Sequence, residues 1–253
     1  MDGLERFSLA GRRALVAGGA AGLGFEIARA LAGAGAEVLV NGRDSGRLEA
    51  AVMRLGAAGL PARACRFDIT DDAARSVALA GMGRRLDILV NAVGQRDRRA
   101  LDGMEDAAVR ALVETDLTAA ILLARDAVRL MEAGGYGRII HITSIAGGMA
   151  RPGDTVYPVA KAGLSGLTRA LAVEYGGRGI TSNAIAPGFF ATETNRAMVD
   201  DPEVAAFLRL RVPAGRWGRP EEVAGAAVFL ASPAAGYVNG QIIAVDGGMT
   251  VRM

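Results

Sequence analysis

The sequence predicts an α/β fold: a single doubly wound domain over residues 1–253, with a seven-stranded parallel sheet that carries helices on both faces. Short runs rich in Val, Ile and Leu alternate along the whole chain with longer helical patterns of Ala, Leu and Arg. The short runs are apolar throughout, which is typical of parallel strands covered on both faces. No linker, low-complexity segment or repeat interrupts the alternation. A ligand site is therefore expected at the carboxyl ends of the strands.

The individual elements follow from these patterns in chain order. Continuous apolar runs of about four to eight residues predict the strands. They lie at 13–17, 37–41, 62–67, 86–91, 137–143, 180–185 and 241–245. Apolar residues that recur every three or four positions predict the helices. These lie at 22–34, 45–58, 71–81, 107–133, 157–175, 202–210 and 220–231.

Composition and charge exclude several classes of function. The net charge is only +2, and the densest basic cluster (Arg96, Arg98 and Arg99) is broken by Asp97 and has no aromatic residues within it, so we expect no nucleic-acid binding. No run of about 20 apolar residues would span a bilayer, and residues 1–10 have no apolar signal core, so we expect a cytoplasmic protein with no membrane partner. The single cysteine fits a reducing compartment. One His and one Cys cannot make the usual metal sites, so no metal is expected.

A glycine-rich turn follows the first predicted strand. Gly18, Gly22 and Gly24 stand in the spacing GxxxGxG, with Leu23 between the last two. Without side chains at these positions, the backbone can turn tightly and approach a pyrophosphate at the N-terminus of the next helix. The turn therefore predicts a dinucleotide-binding domain of the Rossmann type.

The end of the second strand bears on the choice of nucleotide. NAD-type sites place a carboxylate here to hold the ribose hydroxyls, whereas this chain has Gly42 followed by Arg43. An arginine can pair with a 2′-phosphate through charge-assisted hydrogen bonds, which favours NADP(H) over NAD(H). Asp44 leaves two alternatives open, because it can neutralise Arg43 or itself reach a ribose.

One lysine stands among the 29 Lys and Arg residues, and it lies four positions after a tyrosine. Tyr157 and Lys161 therefore share one face of a helix that Asp154 or Thr155 can cap. A nearby ammonium favours the phenolate form of a tyrosine, whose ordinary pKa of about 10 is too high for a proton shuttle at neutral pH. Lysine is a compact point charge with rotatable donors, so it can serve the tyrosine and a ribose together. Ser144, at the end of the fifth strand, can hydrogen-bond the oxygen of a reacting carbonyl.

These features stand in an order that resembles the short-chain dehydrogenase/reductase family over essentially the whole chain. The glycine loop comes first, residues 91–94 follow strand four, and Pro187 and Gly188 follow strand six. Ser144 lies 13 residues before Tyr157, which itself opens the Tyr-x-x-x-Lys motif. Each motif is weak alone, but together they are highly specific.

The resemblance implies hydride transfer between NAD(P)H and a carbonyl or alcohol carbon. Tyr157 would be the general acid and base, Lys161 its tuner and ribose ligand, and Ser144 the substrate orienter. The resemblance also implies a set of nucleotide contacts at the strand ends. These are Asp68 and Ile69 for the adenine, Asn91 and Gly94 on the nucleotide side, Pro187 and Gly188, and Phe190 and Thr192 for the nicotinamide amide. Such enzymes are commonly tetramers, so a homotetramer or homodimer is expected.

Three departures from the family pattern matter. Ala17 replaces the threonine that usually opens the glycine loop, and Ala92 and Val93 alter the usual Asn-Asn-Ala-Gly. Asp116 stands where the family has its fourth catalytic residue, an asparagine whose main-chain carbonyl holds a water beside the lysine. A backbone role survives this substitution, so Asp116 is kept as a candidate catalytic residue. A carboxylate near Lys161 would also partly cancel the lowering of the Tyr157 pKa by the ammonium, and it would thereby shift the pH optimum.

Within the family, the chain resembles gluconate 5-dehydrogenases. The segments that carry this likeness are 7–11, 94–96, 216–218, 238–240 and 246–249. A sugar-acid carboxylate needs a cation, and Arg96 and Arg151, with Gln95, follow strands four and five on the ligand side. The rival is a 3-oxoacyl-carrier-protein reductase, which would need a basic surface for an acidic carrier protein and an open acyl channel.

Two further expectations concern the substrate side and the class of function. Residues 189–211 carry the least regular pattern after a strand end, so we expect a mobile substrate lid there. A sensor that binds NADP(H) without catalysis is a hypothesis of another class. The intact Ser144, Tyr157 and Lys161 argue against it.

Overall fold

The computed structural model describes residues 3–83 and 85–252 and confirms the α/β class. Its strands are β1 (Arg13–Ala17), β2 (Glu37–Gly42), β3 (Ala62–Arg66), β4 (Ile88–Asn91), β5 (Gly137–Ile142), β6 (Ile180–Pro187) and β7 (Ile242–Val245). All pair in parallel, in the order β3-β2-β1-β4-β5-β6-β7. The strand order reverses between β1 and β4, and a crevice at such a switch point is the expected ligand site of a doubly wound sheet.

The seven predicted helical segments are helical at approximately the predicted positions, with one exception given below, and the structure adds a short helix at Arg196–Val199 that the pattern does not predict. They are α1 (Gly22–Gly33), α2 (Ser45–Ala57), α3 (Asp72–Gly81), α4 (Asp106–Val113), α5 (Ala119–Glu132), α6 (Val156–Tyr175), α7 (Arg196–Val199), α8 (Pro202–Arg211) and α9 (Ala224–Ala231). None of the helices in the described ranges is long and apolar enough to cross a membrane.

The sheet is buried on both faces because successive strand residues point to opposite sides. Val16 of β1 packs in the cluster that α1, α2 and α9 cover, and its neighbour Leu15 packs in the cluster that α3 and α5 cover. Both side chains are 0% exposed. This double burial explains why the strands carry continuous apolar runs and leaves only the strand ends free for polar chemistry.

The structure corrects the single long helix expected at 107–133. Between α4 and α5, Glu114–Thr118 form a π-helical turn. The wide turn places Leu117 against Gly163 of α6, where an added Cβ would lie 2.8 Å from the leucine side chain. It also buries Asp116, which is 1% exposed. The π turn holds one more residue than an α-helical turn, and a 3.6-residue period in the sequence does not reveal it.

Candidate active site

An open cleft of about 1140 Å³ lies at the carboxyl ends of the strands. Among the residues that the sequence points to, Asn91 and Asp116 lie outside its lining and are each 1% exposed. The others line the cleft: Gly18, Gly22, Leu23, Gly24, Arg43, Asp68, Ile69, Gly94, Gln95, Arg96, Ser144, Arg151, Tyr157, Lys161, Pro187, Gly188, Phe190 and Thr192. The fold therefore brings segments from six strand ends to one place.

The glycine loop between β1 and α1 forms a cradle at the floor of the cleft. A Cβ on Gly24 would lie 2.2 Å from the carbonyl oxygen of Gly18, and Gly18 itself has a φ of +73°. α1 begins at Gly22, and its N-cap residue, Ala21, makes no side-chain capping hydrogen bond. The first N–H groups of the helix therefore stay available to an anion at the positive end of the helix dipole. A nucleotide pyrophosphate fits this donor set.

The end of β2 presents a cation at the rim of the cleft. The side chain of Arg43 is 79% exposed and lies 3.6 Å from the carboxylate of Asp68. The Asp44 side chain accepts the Arg47 N–H and caps α2, a role that neither of the two alternatives gave it. Burial alone would raise the pKa of Asp68, but hydrogen bonds from Thr70 and the charge of Arg43 lower it.

Tyr157 and Lys161 lie one helical turn apart near the start of α6, as expected. The Lys161 ammonium is 5.6 Å from the centre of the Tyr157 ring. The expected cap is wrong, because Thr155 precedes α6 without a side-chain capping bond and the Asp154 carboxylate binds Arg96 instead. The helix therefore starts without a polar side-chain cap on the cleft side.

Asn91 ends β4, and Ser144 lies two residues after the end of the neighbouring strand β5. The Ser144 hydroxyl accepts the N–H of Ala146 at 3.1 Å, which leaves its own hydrogen for a ligand in the cleft. The Asn91 side chain accepts the N–H of Val93 at 3.2 Å and thereby holds the backbone of the loop after β4. Asn91 thus supports the cleft wall from behind.

The Lys161 ammonium is 3% exposed and forms an ion pair with Asp116, whose Oδ2 lies 3.2 Å from Nζ. The other carboxylate oxygen accepts the N–H of Gln95 at 2.8 Å, and Lys161 also donates to the Ile142 carbonyl at 3.4 Å. Burial raises the pKa of Asp116, and the charge of Lys161 opposes that rise. Gly94 makes room for the pair, since a Cβ there would lie 2.8 Å from Nζ. The carboxylate expected near the lysine is therefore in direct contact with it.

A buried carboxylate organises the opposite side of the tyrosine. Asp154, whose side chain is 0% exposed, binds Arg96 and lies 3.7 Å from Arg151. The Arg96 guanidinium lies over the Tyr157 ring, 4.8 Å from its centre. Partial burial lowers the pKa of Arg98, and the charges of Arg96 and Arg151 lower it further. Two guanidinium groups thus share one carboxylate, and Arg98 adds a third positive charge nearby, which leaves an excess of positive charge.

Asp154, Arg98 and Arg47 are charged residues of the cleft lining to which the sequence predictions give no part in the site. Arg98 carries a signal, because it follows Arg96 by two residues on the same loop after β4. Asp154 carries none that is specific, since an aspartate just before a helix fits a capping role equally well. Only the close approach of the two loops shows that its carboxylate serves the arginines.

The predicted lid, 189–211, contains α7 and α8. The Phe189 ring packs against Phe207 and Trp217, with ring centres 5.7 and 5.5 Å apart. The ring of Phe190 is buried in the core beside Gly218, so only its backbone is left to meet a ligand. The mobility of this segment stays a prediction.

Two titratable residues have no place in the site chemistry. His141, in β5, is 0% exposed, and burial lowers its pKa to about 3, which keeps the imidazole neutral in the core. Burial raises the pKa of Cys65 to about 11, so its thiol stays protonated and unreactive at neutral pH. Within residues 3–83 and 85–252, no three His, Cys, Asp or Glu side chains are grouped to hold a metal ion.

Comparison with known proteins gives relatives over nearly the full length. The family model described as enoyl-(acyl carrier protein) reductase matches residues 18–250. The chain is 40% identical to gluconate 5-dehydrogenase of Gluconobacter oxydans over 252 residues, which is 98% of each chain. It is 39% identical to a 3-oxoacyl-[acyl-carrier-protein] reductase of Escherichia coli over 94% of this chain and 97% of that one. A gluconate 5-dehydrogenase structure from Burkholderia cenocepacia, in complex with NADP and tartrate, superposes with a TM-score of 0.94 at 40% identity over 99% of both chains.

Proposed function

This chain belongs to the short-chain dehydrogenase/reductase family and is an oxidoreductase, and we propose that it transfers hydride between NADP(H) and a sugar acid. Gluconate and 5-ketogluconate are the first pair to test, because the named relatives include gluconate 5-dehydrogenases from two organisms. The alternative substrate class is a 3-oxoacyl thioester on a carrier protein, which a comparable identity to the E. coli reductase supports.

The cofactor, when bound, supplies or accepts the hydride, and the residues of this chain handle the proton and the oxygen. Ser144 holds the carbonyl oxygen of the substrate through its free hydroxyl hydrogen. Tyr157 gives its phenolic proton to that oxygen in reduction and takes it back in oxidation. Lys161, fixed by Asp116 and the Ile142 carbonyl, directs its ammonium at the same region and offers its one remaining donor to a ribose. No metal is part of this chemistry.

The preference for NADP(H) rests on the rim beside β2. Because position 42 is glycine, the strand end has no carboxylate to hold ribose hydroxyls. The side chain of Arg43 is exposed, and its contact with Asp68 is long, at 3.6 Å, so it can reorient toward a ligand. Arg47 lines the same part of the cleft and adds a second cation. A 2′-phosphate would pair with these guanidinium groups through charge-assisted hydrogen bonds.

The observation that carries the substrate class is the arginine cluster beside Tyr157. Arg96 and Arg151 share the single buried carboxylate of Asp154, and the positive charge of Arg98 lies near enough to interact with all three groups. Like charges placed this close together repel one another, and an anionic group of the substrate would reduce that electrostatic repulsion. A carboxylate bound here would anchor one end of a sugar acid and leave the rest of its carbon chain in the cleft that Tyr157 lines.

Steady-state kinetics on both substrate classes test this proposal. We expect turnover of D-gluconate with NADP⁺ and of 5-ketogluconate with NADPH, and little turnover of acetoacetyl thioesters. We expect Arg98→Gln to raise KM for the acid by roughly tenfold and to leave KM for a neutral polyol unchanged, since only the acid loses a charge-assisted hydrogen bond. Turnover of the thioester without turnover of the sugar acid would contradict the sugar-acid assignment and favour the alternative.

The assembly and the compartment are parts of the same proposal. We expect a homotetramer or homodimer, because Val159 and Val173 on α6 and Ile121 on α5 are 62%, 87% and 41% exposed and would gain from burial against a second copy. Light scattering during gel filtration measures the mass directly, and a monomer at micromolar concentration would contradict the expectation. We place the protein in the cytoplasm, consistent with a protonated, unpaired Cys65.

A further inference from the structure

Arg75, on α3, is a buried arginine that the proposed chemistry does not use. Its side chain is 2% exposed, and each of its nitrogens has a partner. Nε donates to Asp126 of α5 at 3.0 Å, Nη2 donates to Asp72 at 2.8 Å, and Nη1 donates to the Ile69 carbonyl at 2.9 Å. Apolar side chains of the same volume often stabilise a protein as well as a buried ion pair does, because they avoid the cost of desolvating a charge. The ion pair alone therefore does not account for this residue.

The contact with Ile69 connects Arg75 to the cleft. Ile69 and Asp68 line the side of the cleft expected to hold the adenine. On the other side of the same loop, the buried amide of Asn41 donates to the Phe67 carbonyl at 3.0 Å. The carbonyls on both sides of Asp68 are thus each held by a buried polar side chain, and Asp68 in turn pairs with Arg43.

We propose that Arg75 is a positioning residue for the adenosine half of the dinucleotide and acts through the Ile69 carbonyl. It fixes the loop after β3 before the nucleotide binds, so less of the binding free energy is lost to ordering that loop. The inference rests on the proposed function only in that the wild-type protein must bind a nicotinamide nucleotide. It concerns the part of the cleft that NADPH and NADH share, so both should depend on Arg75 alike.

Arg75→Met tests the proposal, because methionine fills similar space and Asp126 keeps Arg125 as a partner at 2.9 Å. Arg13→Met is the matched control. Arg13 also donates to a carboxylate (Glu37) and to a carbonyl (Met82), but at the start of β1, away from the cleft. The measurements are Kd for NADPH and NADH from nucleotide fluorescence, kcat at saturating cofactor, and the unfolding midpoint.

For Arg75→Met we expect Kd to rise roughly five- to tenfold for both nucleotides, with kcat within about twofold of wild type. The control should lose stability without a change in Kd. Arg75→Lys should keep the charge beside Asp126 but not the contact with the Ile69 carbonyl. We therefore expect it to be more stable than Arg75→Met and still to bind both nucleotides weakly. If Arg75→Met does not fold, Arg75→Lys decides the question. The proposal is overturned if folded Arg75→Met binds the nucleotides with the wild-type Kd, or if Kd rises equally in Arg13→Met. If the wild-type protein binds neither nucleotide, the proposed function is contradicted instead.

Discussion

Gly94→Ala perturbs the position of the Lys161 ammonium without changing any functional group. The added Cβ would lie 2.8 Å from Lys161 Nζ and 3.2 Å from Asp116 Oδ2. Ordinary contact begins at 3.4 Å, so the ammonium must move by 3.4 − 2.8 = 0.6 Å or more. The backbone at Gly94 does not have a positive φ, so alanine causes no strain of its own there.

The displacement has a cost in rate and in stability. The ammonium is held between Asp116 and the Ile142 carbonyl, so it moves only by lengthening one of these contacts. A shift of about 1 Å at a reacting group costs about a hundredfold in rate, and we expect kcat to fall by roughly ten- to a hundredfold. Overpacking should lower the unfolding free energy by about 1–3 kcal/mol.

The assay is kcat and KM with saturating cofactor, together with the unfolding midpoint of each variant. Gly56→Ala is the control, because Gly56 lies in α2, outside the α5 and α6 surface proposed to meet a second copy, and an added Cβ there meets nothing within 4 Å. We expect it to keep full activity and to gain up to about 1 kcal/mol from helix propensity. A Gly94→Ala variant that is as active as wild type would refute the reasoning, because the lysine would then not be confined as the structure places it.

Four further variants have specific expected outcomes. Lys161→Arg keeps the charge but presents a wide planar fork in a space bounded by Gly94, and its kcat should fall by about a hundredfold or more at unchanged net charge. Asp116→Asn removes the anion beside Lys161, so the pH–rate profile of alcohol oxidation should move to lower pH; an unchanged profile would show that the carboxylate has no electrostatic role. Arg43→Ala should lower kcat/KM for NADPH by roughly ten- to a hundredfold and leave that for NADH unchanged, which kinetics with both cofactors would measure. His141 has its pKa lowered to about 3, so below pH 6.5 the folded state binds fewer protons than the unfolded state. The unfolding free energy of the wild type, measured from denaturation curves, should therefore fall by about 2 kcal/mol between about pH 6.5 and 5. His141→Gln lacks this group, so its unfolding free energy should fall by about 2 kcal/mol less over the same range.

The sequence predicts most of the fold because its signals are local. Double burial of the sheet forces continuous apolar strands, and the glycine loop must follow the first strand for the backbone to turn at Gly18 and Gly22. The placement of Tyr157 and Lys161 on one helix face needs only their spacing. These features were predictable because each depends on residues within a few positions of one another.

The errors arise where a local pattern has two physical solutions. Residues 107–133 have a helical period throughout, yet the packing of Leu117 on Gly163 accompanies a π turn within it. An aspartate before α6 fits a helix cap, yet Asp154 binds Arg96 from another loop. Asp44 was expected to meet Arg43 or a ribose, yet its side chain contacts the α2 backbone as a cap, which is a third role.

The sequence by itself determines the layered α/β architecture, the nucleotide cradle and the identity of the serine, tyrosine and lysine, because residue type and spacing along the chain suffice for each. Only the tertiary structure decides the electrostatic surroundings of these groups. The ion pair of Lys161 with Asp116 joins α6 to the turn after α4, and the pairing of Arg96 with Asp154 joins two loops 58 residues apart. Coulomb interactions and desolvation depend on distance and burial in space, and these are set by how the helices pack rather than by the order of residues in the chain.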